Sequence, residues 1–422
     1  AAINAPVSTG KSFTLQYTAP SSSATVTATT FAAITTKTTF SAGTTTSWVN
    51  EITTSDTVTK TAAAWVSGSV LAAVPISDGF SSGPSGDQST ASTVFVSSLE
   101  SIMVMADGST GYLVLATCQL WDSSVAVGAS MAICRDGERI SGDIFSSGAV
   151  AAHRHFAMAM ALDSPSAGSH KYELCFKTDP GGVAFVSSTF LVLVPVSGAV
   201  RSGSHGDQST ASTSFTDSAE TVVVNVNEGD KFLVIGSSQL WNSRVDVGSS
   251  ICVARDGMRI SGDMFALGAA SGHRHAATAI AVDSPSTGSH TYSLQFKTDP
   301  GGQAWVSGTY LIVVPISGGA SIGPFGDQST TSSEFVASYA TVPITTDGSK
   351  TYLFLATCQL WNNLATSGSS IAICRDETRI SGDQFSLGPV ITHRHIASAI
   401  SIDKPNAGTY NYALSFKTDP AF

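Results

Sequence analysis

The chain has 422 residues, 42% of them hydrophobic and only 12% charged, with a net charge of −10 at pH 7. That balance lacks the basic face of a nucleic-acid binder, and no apolar run approaches the roughly 18 residues of a membrane span. Ser, Thr, Gly and Ala dominate the rest, a composition that favours strands and tight turns over helix, at a length that suits three or four domains.

Residues 1–60 are rich in Thr, Ser and Ala, as in "SATVTATTFAAITTKTTF" (23–40). They begin with neither Met nor a signal-like segment, so Ala1 reads as a processed or truncated terminus. From Ala64 the pattern changes: "AWVSGSVLAAVPIS" (64–77) is in register with "AWVSGTYLIVVPIS" (304–317). The remainder of the chain is a repeat. "GDQST" begins at residues 86, 206 and 326, "QLW" ends at Trp121, Trp241 and Trp361, and "HRH" begins at His153, His273 and His393, each in steps of 120 without a gap. A unit of that size is an independent domain and not a solenoid turn, so the expected organisation is a row of beads. The expected boundaries are 1–77 (a Ser/Thr-rich β domain ending in a repeat-like closing strand), 78–197, 198–317 and 318–422.

Inside a bead the signals are all-β. "TYSLQFKT" (291–298) alternates, with Tyr292, Leu294 and Phe296 on one face and Ser293, Gln295 and Lys297 on the other. About eight short strands separated by turn clusters such as "DSPSTGSH" and "TDPGG" predict antiparallel β-sandwiches of jelly-roll type.

One strand is missing. "FKTDP" at Phe176 and Phe296 leads into a long apolar closing strand, but at Phe416 it leads only to Ala421 and Phe422. Apolar residues on both faces mark that strand as central, and omitting it leaves unpaired backbone and a slot in the core. Three readings stand: the chain is truncated, the last bead closes otherwise, or a neighbouring molecule donates the strand and builds a head-to-tail assembly. For the third, the donor residues are Trp65, Val66, Val70, Leu71 and Val74.

Cys118 and Cys134, like Cys358 and Cys374, lie 16 apart, and in the middle repeat both positions change together, to Ser238 and Ala254. Paired loss predicts the disulfides Cys118–Cys134 and Cys358–Cys374, hence an oxidising, extracellular setting. The alternative is small buried residues that vary freely, as Cys175 and Cys252 are expected to be.

Several constellations carry chemistry. In "HRH" the residues two apart share a strand face, so His153 and His155, His273 and His275, and His393 and His395 point together. They would bind zinc or copper if a carboxylate or a second bead completed the shell, and otherwise line a bead–bead contact. Asp256 and Asp263 in "RDGMRISGD" are expected to close a turn with Arg255 and Arg259, not to hold calcium. Trp121, Trp241 and Trp361, each followed by Asp or Asn, would stack on sugar rings if exposed, or fill the core. Nucleophile elbows, His-Glu-X-X-His, phosphate loops and dinucleotide fingerprints are missing, so neither an enzyme nor a cofactor is expected.

"DSPSTGSHTYSLQFKTDPGGQAWVSGTYLIVVPI" (283–316) passes from turn to alternating strand, Gly turn and long hydrophobic strand. In this it resembles the C-terminal half of C1q/TNF-like jelly rolls and related β-sandwich modules of phage fibres and extracellular appendages. The resemblance implies a jelly-roll sandwich, trimerisation (which three beads in one chain would mimic internally), and roles in adhesion, capping or surface structures. The expectation is a structural protein of a virion fibre, decoration layer or extracellular filament, partnered by itself, by other surface proteins or by glycans. The rival is a multivalent carbohydrate-binding adhesin.

Overall fold

The computed structural model describes residues 61–419 apart from the segments 125–126, 148–153, 268–272, 365–366 and 387–393, together with the backbone of residues 13–19 and 22–28. The chain divides into two compact units, Ala1–Thr61 and Ala62–Phe422. In the first, Phe13–Ala19 pairs antiparallel with Ser22–Ala28. Among the described residues every regular element is a strand, and no helix is long and apolar enough to cross a membrane.

The second unit is three β-sandwiches, each of an inner and an outer five-stranded antiparallel sheet. In the first bead the inner sheet centres on the strand Gly111–Asp122, which carries "QLW". It is flanked by His155–Asp163, which opens with the second "HRH" histidine, and by the closing strand Ala184–Val196. The outer sheet centres on Ala167–Thr178, the "FKTDP" strand, between Val96–Asp107 and Gly128–Arg135. The second bead repeats this with Lys231–Asn242 between His275–Asp283 and the closing strand Ala304–Ile316.

The third bead shows where its missing strand comes from. Its inner sheet pairs Thr351–Asn362 with His395–Asp403 on one side and with Ala64–Ile76 on the other. The closing strand ahead of the first repeat therefore completes the last one, in the same register as its counterparts: Trp65 faces Trp361, Val66 faces Leu360, Leu71 faces Ala356 and Val74 faces Leu353. Donation of Trp65, Val66, Val70, Leu71 and Val74 to a neighbouring molecule is thus corrected: their slot lies in their own chain. The boundary at 77 is corrected with it, because residues 62–77 belong to the third bead. The beads also form no open row, since the first is held against the third.

The closing strands are apolar on both faces because each face meets a different core. Leu191 and Leu193 point into the first bead, Leu311 and Val313 into the second, and Leu71 and Ala73 into the third. The alternate residues Val192 and Val194, Ile312 and Val314, and Ala72 and Val74 join Leu115, Met160, Ile235 and Leu355 in a fourth core shared by all three inner sheets. This shared core buries apolar side chains of all three beads together, each Å² of apolar surface so removed from water contributing about 25 cal/mol.

The disulfide expectation fails on strand parity. Cys118 and Cys358 point into their bead cores, where Cys118 Sγ contacts Met131 Sδ at 3.4 Å. The core-facing residues of the partner strands are Met131 and Ile133, and Ile371 and Ile373, so Cys134 and Cys374 point to the opposite face. All six cysteines are free and buried.

Candidate functional site

The repeated motifs converge where the beads meet. In the second bead Gln239 Nε2 donates at 2.6 Å to the carbonyl of Asp143 in the first. Gln359 of the third donates at 2.9 Å to Asp263 of the second, and Gln119 of the first at 2.7 Å to Asp383 of the third. The direction is cyclic, so the three joints form a closed ring. Hydrophobic residues trace the same circuit: Ala276 enters the first bead's core, Ile396 the second's and Phe156 the third's.

The arginine of each "HRH" locks the joint. Arg154, Arg274 and Arg394 donate to the Oε1 of Gln119, Gln239 and Gln359 at 3.1, 3.0 and 3.3 Å. Each guanidinium lies 4.1–4.2 Å over the tryptophan ring of its own bead, Trp121, Trp241 or Trp361. Each also reaches a phenylalanine of the next bead round, Phe385, Phe145 or Phe265, at 5.5–5.7 Å. Glycine is required beneath those phenylalanines: a Cβ on Gly128, Gly248 or Gly368 would sit 1.9 Å from a ring carbon.

This removes the sugar-stacking role of the tryptophans. Trp121 is also stacked on Phe185 at 5.4 Å, Trp241 on Trp305 at 6.1 Å and Trp361 on Trp65 at 6.0 Å. Each indole is thus engaged by both a cation and an aromatic ring, and Trp121 and Trp241 are buried, which leaves little of them for a sugar ring. The polar residues beside them are internal as well: Asp122 accepts from Thr178 Oγ1 at 2.7 Å, while Asn242 and Asn362 donate to Thr298 and Thr418.

Histidines of the three beads meet. His155, His275 and His395, one from each bead, are 1–2% exposed, with ring centroids 5.4–5.8 Å apart. His273, two residues before His275 and just ahead of its strand, stacks on it at 4.6 Å. Its Nε2 lies 3.3 Å from Nε2 of His155. Burial lowers the pKa of His273 to about 4. Burial, helped by the neighbouring His273, lowers that of His395 to about 3, so both are neutral at pH 7. His153 and His393 lie outside the described residues. Sequence reasoning found these histidines and their pairing, but not that three beads bring them to one point.

Asp256 lies 4.0 Å from Arg255 and Asp263 3.8 Å from Arg259, the expected Arg–Asp pairs of the "RDGMRISGD" hairpin; Arg255 also pairs with Asp283 at 2.6 Å, Asp256 accepts from His290 at 2.6 Å and Asp263 pairs with Lys297 at 2.9 Å. In "GDQST" the working residue is the glutamine: Gln88, Gln208 and Gln328 each accept a backbone N–H at 2.7 Å. A feature with no sequence signal is a cavity of about 420 Å³ between the first and second beads, lined by Arg139, Arg201, His205, Gln239 and Tyr310. Within it His205 contacts the fully buried Glu220 at 2.5 Å.

No protein-family model matches the chain, and no curated protein matches it in sequence. Among solved structures it is similar to infectious bursal disease virus Gx strain, at 11% identity and a TM-score of 0.22 over 82% of this chain and 80% of that one. Infectious bursal virus derived T=1 particles give 12% identity and a TM-score of 0.19 over 82% and 77%. Dimeric latent PorU from Porphyromonas gingivalis gives 10% and 0.18 over 72% and 32%. TM-scores near 0.2 lie below those of chains that share a fold.

Proposed function

We propose that this chain is a non-enzymatic structural protein of a virion or extracellular surface, presenting its three repeats as one interlocked head. The observation that carries the reading is closure of the third bead by Ala64–Ile76, which fills the last strand slot and ties both ends of the body together. The repeated polar residues support it, because Gln, Arg and Trp of "QLW" and "HRH" are spent on joints. Contacts with further copies or other surface proteins fall to the outer sheets, where the edge strand Val96–Asp107 leaves Leu99, Met103 and Met105 at least 60% exposed. Immunogold labelling of the producing particles or cells tests the reading: label on the outer surface is expected, and label confined to the interior overturns it.

An adhesin is the second reading, favoured by the cavity between the first two beads. Two arginines and a histidine around a concave site suit an anionic group on a glycan. An acidic-glycan array, read for the native chain and for Arg201→Ala, tests it: binding lost in the variant supports the reading, and no binding by the native chain rejects it.

A further inference from the structure

We propose that the body holds one late first-row divalent metal ion of the zinc type between its beads, ligated by His155, His273 and His275, with His395 adjacent as a fourth imidazole. One nitrogen from each of the first three lies within 4.8 Å of the others, and all are buried. The His273–His155 separation of 3.3 Å is the edge expected of a tetrahedral site, since ligands about 2.05 Å from zinc at the tetrahedral angle stand about 3.3 Å apart. The ring of His395 is adjacent, 5.5 Å from that of His155 and 5.4 Å from that of His275.

The donor chemistry selects the metal class. A purely imidazole set excludes calcium and magnesium, which demand oxygen, and suits zinc, nickel, copper or cobalt. The ion would also tie the beads together, because His155 belongs to the first and His273 and His275 to the second. The other outcome of the same geometry is a cluster in which one imidazole N–H donates to the next nitrogen and no ion binds.

The test uses the full chain, stripped with chelator and titrated with Zn²⁺ and with Co²⁺. One equivalent of zinc per chain by elemental analysis, a rise in Tm with zinc, and visible cobalt bands of a tetrahedral nitrogen site are expected. His273→Ala, which alters a residue just ahead of its strand, and His155→Gln should each weaken zinc binding at least about tenfold, the loss that accompanies removal of a ligand or its orienting partner. Absence of stoichiometric zinc and of cobalt bands in the native chain overturns the proposal, as does undiminished binding in both variants. Should either variant fail to fold, the native cobalt spectrum decides alone.

Discussion

Trp65 and Trp361 face each other across antiparallel strands, their rings 6.0 Å apart and within 14° of parallel. Beside them the N–H of Ala63 donates to Asn363 Oδ1 at 2.7 Å, joining residues 300 apart in the chain. Closing so long a loop is entropically costly, though the cost grows only slowly with length, and burial of the strand on both faces outweighs it. The same stacked pair recurs as Trp241–Trp305 inside the second bead, where only a local connection is needed.

That equivalence predicts a permutant. Moving residues 62–77 behind residue 422 through a Gly-Gly link would give the third bead its strand from the other end. The permutant should stay monomeric by light scattering and melt within about 4 °C of the parent, the shift of roughly 1 kcal/mol. Deleting residues 62–77 should instead yield oligomers or aggregates, because two strand edges are left open. A deletion variant that remains monomeric with an unchanged Tm would contradict the closure.

Gln239→Leu should cost about 1–3 kcal/mol, since the Asp143 carbonyl loses its donor and Arg274 an acceptor. Urea unfolding measures this, and Gln119→Leu and Gln359→Leu should behave alike. Variants indistinguishable from the parent would mean that the ring does not depend on these latches.

The bulge in each closing strand places Gly68, Gly308 and Ser188 at φ of +59°, +55° and +48°. A β-branched side chain is disfavoured there, and a Cβ on Gly308 would lie 3.4 Å from the Asp143 carbonyl. Gly308→Val should therefore lower stability by about 1–2 kcal/mol or more, and Gly308→Ser by less, as Ser188 already occupies the equivalent place. Equal effects of the two substitutions would refute the backbone argument.

His170 and His290 have pKa values raised above the ordinary 6.5, first by hydrogen bonds to Asp136 and Asp256 and then by the carbonyls of Ser166 and Ser286. A raised folded pKa gives stability that is fully present below pH 6.5 and lost as pH rises through the folded value. The Tm difference between the parent and a His170→Tyr/His290→Tyr variant, which copies Tyr410 of the third bead, should be largest in mild acid and shrink towards pH 8.5. A difference that grows with pH would reverse the sign of the argument.

Because all six cysteines are free and buried, the intact mass should be unchanged by reductant. Alkylation should reach all six only after denaturation. A mass increase of about two hydrogens per bridge on reduction would restore the disulfides.

The sequence by itself determined what is local: the repeat, the alternation that makes every element a strand, and the two-sided burial of the closing strand. These come from a backbone whose side chains alternate every residue, so they are written within a few positions of each residue. Only the tertiary structure decided that Ala64–Ile76 closes the third bead, that Cys118 and Cys134 point apart, that Trp241 is buried between Arg274 and Trp305, and that histidines of three beads meet. A closing strand makes the same backbone hydrogen bonds in its own chain as in a neighbour's. What selects its own chain is the high effective concentration of a tethered segment, and no short stretch of sequence records that.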